Sequence, residues 1–138
     1  TGCGIQTSAL AISGGTSPAP GQGAVENYDG TSWTAGTAIN TARQLVGSAG
    51  IQTLALVCGG GATPAAAGTT NTANSEEWNG SSWTEVADMA TAREITGQSS
   101  GSTSAAIACG GINAPGTYLN PVEEWTSPVT NTVTFTVS

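Results

Sequence analysis

Glu26-Asn27-Tyr28-Asp29-Gly30-Thr31-Ser32-Trp33-Thr34 is answered fifty positions later by Glu76-Glu77-Trp78-Asn79-Gly80-Ser81-Ser82-Trp83-Thr84. Near-identity at that period means that the chain is built from copies of one small unit, and recurring residues read first as scaffold. Function belongs where the copies differ.

The same period carries outward. Arg43 and Arg93 each close a Thr-Ala-Arg triplet, and glycine pairs follow at Gly59-Gly60 and Gly110-Gly111, with Gly14-Gly15 as the first copy of that pair. Gly4-Ile5-Gln6-Thr7 returns as Gly50-Ile51-Gln52-Thr53 and, more loosely, as Gly101-Ser102-Thr103-Ser104. Units therefore fall at 1–43, 44–93 and 94–138, the first partial and the last with an atypical end.

Asp29-Gly30 and Asn79-Gly80 stand between short β-prone runs, where a two-residue Asx-Gly loop supplies the positive φ angles of a type I′ hairpin turn. This predicts that 25–28 pairs with 32–35, and 75–78 with 82–85. Upstream, 45–49 and 53–58 flank a turn at Gly50-Ile51-Gln52, which predicts the matching pairs 1–3 with 7–13 and 94–100 with 103–109. Each unit is then an antiparallel four-stranded sheet made of two hairpins, joined by a longer loop after the glycine pair.

The order glycine pair, aromatic, tryptophan, arginine resembles the kelch repeat of β-propellers. The second copy carries it most fully, in Cys58-Gly59-Gly60, Glu76-Glu77-Trp78, Asn79-Gly80-Ser81-Ser82-Trp83 and Met89-Ala90-Thr91-Ala92-Arg93. The Thr/Gly/Ala-rich wording is similar to the kelch-like repeats of tail-fibre and other virion proteins of marine bacteriophages. The resemblance implies an all-β fold of kelch-like propeller blades, here an incomplete ring of nearly three. A propeller needs 4–8 blades, so the expectation is a C-terminal piece of a longer protein, or one contributor to a ring closed by neighbouring copies, and not a free monomer. The alternating tail at 132–137 has strand period and is a candidate to complete a blade.

Two Arg, no Lys, no His and nine Asp/Glu give a net charge of −7. Nucleic acid and anionic membrane surfaces need clustered basic residues, so neither is an expected partner. No stretch is apolar for the ~20 residues of a membrane helix. Only 8% of residues are charged, against about 25% in an ordinary soluble domain. A neutral polar surface of this kind goes with a virion or extracellular setting.

Cys58 and Cys109 stand directly before the glycine pair, where the first copy has Ser13, and Cys3 aligns with Ala49 and Ser100. Cysteine at a recurring strand position reads as a small buried apolar residue. Glu26, Glu76 and Glu123 recur two residues before the strand aromatic, and Glu77 and Glu124 add a second carboxylate. A catalytic pair is needed once per molecule and a contact between units once per unit, so these carboxylates read as partners of Arg43 and Arg93, or of backbone amides between units, and not as a cation site or an acid/base pair. Asp88 and Glu94 have no counterpart in the first copy and read as surface charges. Trp33, Trp83, Trp78, Trp125 and Tyr28 read as packing between sheets. No catalytic residue, metal site or cofactor is expected.

The copies differ in the loops after the glycine pair: 16–24, 62–74 and 112–121. These contain no charged residue, and variable loops on a rigid scaffold are where recognition resides. The candidate recognition residues are Thr16, Gln22, Thr63, Asn71, Asn74, Asn113 and Tyr118. Hydroxyls, amides and backbone suit a surface glycan or a host-surface protein. The expected function is a non-enzymatic structural or attachment module of a phage virion, with other blades or neighbouring subunits as partners. The alternative is a secreted bacterial adhesin or carbohydrate-binding propeller. A galactose-oxidase-like enzyme would need copper ligands that include His, which this chain lacks.

Overall fold

The structure, a computed structural model, describes residues 1–15, 21–61, 71–94, 100–113 and 116–127. Thr16, Thr63 and the alternating tail lie outside the described residues. Thirteen strands and no helix occur among them. The first sheet runs β1 (Gly2–Ile5), β2 (Ser8–Gly14), β3 (Gln22–Tyr28), β4 (Trp33–Ala35), in that order and antiparallel throughout. The second repeats it as β5 (Gly47–Ile51), β6 (Leu54–Cys58), β7 (Ser75–Trp78), β8 (Trp83–Val86). In the third, β10 (Ala105–Cys109) lies between β9 (Ser100–Gly101) and β13 (Val122–Thr126), while β11 (Ile112–Asn113) and β12 (Thr117–Tyr118) make a separate small hairpin within the loop 112–121.

The sheets stack face to face, and the strand sequences show why. Successive side chains of a strand point to opposite faces. In β6, Ala55 and Val57 pack with Leu10, Ile12 and Val25 of the first sheet. The alternate residues Leu56 and Cys58 meet Ala106 and Ala108 of the third. A strand covered on both sides must be apolar in both phases, hence the unbroken Leu-Ala-Leu-Val-Cys. In β10 only Ala106 and Ala108 are buried, while Ala105, Ile107 and Cys109 are exposed. Cys109 therefore departs from the buried slot expected of it: Cys58 is covered by the third sheet, and no described strand covers the far side of the third. Cys3 packs against the first core cluster, and burial pushes its thiol up to about 11, leaving it protonated and unreactive at neutral pH.

The turns differ in detail from their sequence-based prediction. Tyr28 pairs with Trp33 and Trp78 with Trp83 across four-residue loops. Only the glycine of each Asx-Gly has positive φ, +95° in both, so the turns are not type I′. The Asx oxygen instead accepts the two loop amides that follow: Asp29 Oδ1 from Thr31 (2.8 Å) and Ser32 (2.9 Å), Asn79 Oδ1 from Ser81 and Ser82 (both 3.0 Å). This is Asx-turn chemistry, and the Ser32 and Thr31 amides hold the Asp29 carboxyl below its ordinary pKa. The first hairpins turn at Gln6-Thr7 and Gln52-Thr53, one position later than expected, because Gly4 and Gly50 are still strand residues. Of the 94–100 strand expected in the third unit, β9 lies within the described residues, and Glu94 bridges to Ile112 instead.

Strand register also moves the first glycine pair. Ala11 opposes Glu26 as Val57 opposes Glu76, which makes Ile12 the counterpart of Cys58, Ser13 of Gly59 and Gly14 of Gly60. Ser13 takes the left-handed conformation of Gly59, φ 61° against 66°, at a register shift between Ile12 and Gly14. Its hydroxyl donates to the Arg43 carbonyl. The repeat is thus 46 residues in the first hairpin and fifty in the second, and Gly14-Gly15 is one position out of phase with the later pairs.

Gly50 has φ +110°, and a Cβ there would run into the Leu54 carbonyl and stand 3.0 Å from Ala55 Cα. Gly14 has open space around it. Gly50→Ala is expected to lower stability by about 1–3 kcal/mol and Gly14→Ala to change it by less than about 0.5 kcal/mol, measured by urea unfolding of the two variants side by side.

Candidate functional site

The most elaborate chemistry lies at the glycine-pair end of the stack, where the segment leaving each sheet inserts an arginine into the next. Arg43 is 1% exposed. Its Nε donates to Gly59 O (2.8 Å), and Nη1 donates to Thr41 O (2.9 Å) and to Glu76 Oε1 (2.5 Å). Glu76, fully buried, also accepts the Asn40 amide on Oε2 (2.7 Å). Arg93 repeats this one unit on: Nη1 donates to Gly110 O and Pro121 O (3.1 Å each), Nη2 pairs with Glu123, and Glu123 Oε2 accepts the Ala90 amide (2.6 Å). Each guanidinium caps the carbonyl at the left-handed glycine and holds one carboxylate. A pair this buried has its desolvation offset only when the remaining donors and acceptors are also satisfied. Backbone groups supply those partners around Arg43, whereas among the described residues Arg93 Nε is buried without one.

Backbone completes the joint. Gln44 exchanges both hydrogen bonds with Gly61 (2.9 Å each), and Glu94 does the same with Ile112 (2.9 Å each). A Cβ on Gly60 would stand 2.6 Å from Gln44 O, so only glycine admits the incoming chain there. At the other end of the sheets, Gln52 reaches back into the first sheet, accepting from Ser8 Oγ (2.7 Å) and donating to Tyr28 O (2.7 Å). The indole N–H of Trp83 donates to Thr37 O (2.9 Å) on the segment joining the first two sheets.

The aromatics divide by position. Trp78 and Trp83, with ring centroids 5.3 Å apart, are both 6% exposed between the first two sheets. Trp125 is half-buried, its indole donating to Thr103 O as that of Trp78 does to Gln52 O, 3.0 Å each. Trp33 departs from the packing role expected of it. It is 49% exposed, against Tyr28 at 4.9 Å, because the face it occupies is the outer one of the first sheet.

Glu94 is the other correction. It is 1% exposed rather than a surface charge, and among the described residues its Oε1 has no hydrogen-bond partner. Burial raises its carboxyl above the ordinary range. The residue at this place one repeat earlier is Gln44, a neutral isostere, and that difference was the available sequence signal. Asp88 is exposed.

The candidate recognition residues do not form one exposed set. Gln22 is exposed at the start of β3 and Tyr118 is 79% exposed on β12. Asn71 donates to Ile112 O (2.8 Å), tying the second loop to the third unit. Asn74 is held at a joint, its Oδ1 accepting from Thr72 Oγ1 (2.6 Å) and its carbonyl from the Gly59 amide (3.0 Å). Asn113 Oδ1 accepts the Thr117 amide (3.2 Å) inside the β11–β12 hairpin. Among the described residues no cluster of three or more His, Cys, Asp or Glu is placed to hold a metal ion, and no helix is long and apolar enough to cross a membrane.

No protein-family model matches the chain, and no curated protein matches it in sequence. Among solved structures, one titled "Structure of YjhT" is similar, with a TM-score of 0.72 at 14% identity, covering 87% of this chain and 39% of that one. At that identity the likeness concerns the fold: all-β, antiparallel four-stranded sheets in a propeller-like arrangement, with no closed ring among the described residues.

Removing one partner of a buried pair strands the other, so Arg43→Ala is expected to cost about 3–5 kcal/mol in chemical denaturation. Glu94 carries the opposite sign. Its folded pKa lies above the unfolded one, so the stability it contributes is present below the unfolded pKa and is lost as pH rises through the folded pKa. Glu94→Gln should therefore raise stability at pH 7, by roughly 1 kcal/mol, and the gain should shrink toward pH 4 when unfolding is followed across that range.

Proposed function

We propose that the chain is a run of kelch-like units acting as a non-enzymatic structural and attachment module, in a virion tail or fibre, with the loops beyond the glycine pairs meeting a host surface. The observation that carries this reading is the use of every cation. The chain has two arginines and no lysine, and both guanidiniums are buried in joints between sheets. No basic group is left for a phosphorylated or carboxylated metabolite.

What the loops do expose suits a neutral polar partner. Tyr118 presents an almost free phenol ring on a short hairpin braced by Asn113, and Gln22 adds an exposed amide. A flat apolar ring with a polar tip is the kind of surface that takes a sugar ring. A virion or extracellular location is in keeping with the low charge of the chain.

The test is binding of the purified chain to an array of bacterial surface polysaccharides. Binding that falls about tenfold, near 1.4 kcal/mol, in Tyr118→Ala without a change in unfolding midpoint supports attachment through this hairpin. A chain that binds no glycan and no bacterial surface would remove the attachment role and leave scaffold alone.

A further inference from the structure

The outer face of the first sheet is a joint with only its receiving half present. Strand register assigns each part of it. Glu26 stands where Glu76 stands, Trp33 where Trp83 stands, and Gly14 where Gly60 stands. Gln6 occupies the place of Gln52 in the hairpin turn.

In the second sheet all four are engaged by the first unit or by the segment that leads out of it. Glu76 holds Arg43, the Trp83 indole N–H reaches Thr37 O, Gly60 lies under Gln44 O, and Gln52 bonds Ser8 and Tyr28. The third sheet repeats the first and third of these, with Glu123 on Arg93 and Gly111 under the Glu94 backbone. In the first sheet, among the described residues, the Glu26 and Gln6 side chains are exposed and make no hydrogen bond. Trp33 is half-exposed, and among the same described residues nothing pairs its N–H and nothing stands within 4 Å of a Cβ on Gly14.

We infer that this face binds a further repeat unit, one that presents its own arginine on a Thr-Ala-Arg loop to Glu26 and a backbone carbonyl to Trp33. Charge complementarity decides between this occupant and a second copy of the chain. The chain owns two arginines, no lysine and no histidine. Glu76 and Glu123 hold both arginines, so an identical copy has no guanidinium to give. The inference rests on the structural half of the function proposed above and is independent of the attachment half. Loss of glycan binding does not bear on it, and its own failure leaves the Tyr118 hairpin untouched.

The experiment extends the full chain at its N-terminus with a second copy of residues 1–46, one first-hairpin period, carrying Trp33→Phe so that only the original Trp33 is read, which places an added Arg43 one unit ahead of Glu26. Acrylamide quenching of tryptophan and thermal unfolding are followed with and without Glu26→Gln. The expected result is that Trp33 becomes protected in the extended chain and that Glu26→Gln lowers its midpoint by roughly 5–10 °C. In the 138-residue chain the same change should leave midpoint and solution mass unaltered. Arg43→Ala in the added copy alone should give the same loss, with no further loss when combined with Glu26→Gln. Gly14→Ala should be harmless in the short chain and disruptive in the long one. An added unit that stays unfolded or leaves Trp33 quenchable would overturn the inference. So would a Glu26→Gln effect that is equal in both chains or absent from both, or self-association of the short chain that depends on Glu26.

Discussion

The arginine passed from each sheet into the next is the constraint on which the rest depends. Its guanidinium satisfies a carbonyl that a left-handed glycine turns inward, and it neutralises a carboxylate that would otherwise be buried alone. The charge cannot be removed without orphaning the carboxylate, and the carboxylate cannot move without releasing the amides of the connecting segment. Position, charge and chain path are fixed together, and this explains why Thr-Ala-Arg, the glycine pair and the glutamate before the aromatic recur as a set.

Hydrophobic packing fills the space that the joints define. The residues are small: alanines at 49, 55, 106 and 108 with a few Leu, Ile and Val, and bulk supplied by Trp78 and Trp83. Small side chains allow sheets to approach closely, and Trp78 and Trp83 add bulk between the first two sheets while their N–H groups find backbone carbonyls. A core of this kind contributes less apolar area per residue than one rich in leucine. The polar joints then carry a larger share of the specificity.

Much of this was legible from residue order. The second unit, with every landmark present, gave its four strands and their pairing, because alternation and turn chemistry agree there. The turn geometry was not legible: an Asx-Gly pair is compatible with a type I′ turn and with an Asx turn, and the choice rests on whether the side-chain oxygen finds the amides of residues 31 and 32. The phase of the first glycine pair was hidden because Ser13 adopts a conformation usually left to glycine. Burial of Glu94 and exposure of Trp33 and Cys109 depend on what lies across the sheet face, a fact of tertiary position that residue type does not encode. For the loops, composition identified where the units differ but not that Asn71 and Asn74 are spent on internal bonds.

The joint also has a direction. The first two units each donate an arginine forward, and the second and third each receive one from behind, so donor and receiver are different surfaces. Such an interface is never self-complementary about a twofold axis. Units joined through it follow one another by the same rotation and translation, which closes into a ring when the rotation divides the circle and otherwise runs on as a filament. The placement of a single guanidinium thus limits the symmetry available to any assembly made through these faces to the cyclic and the helical.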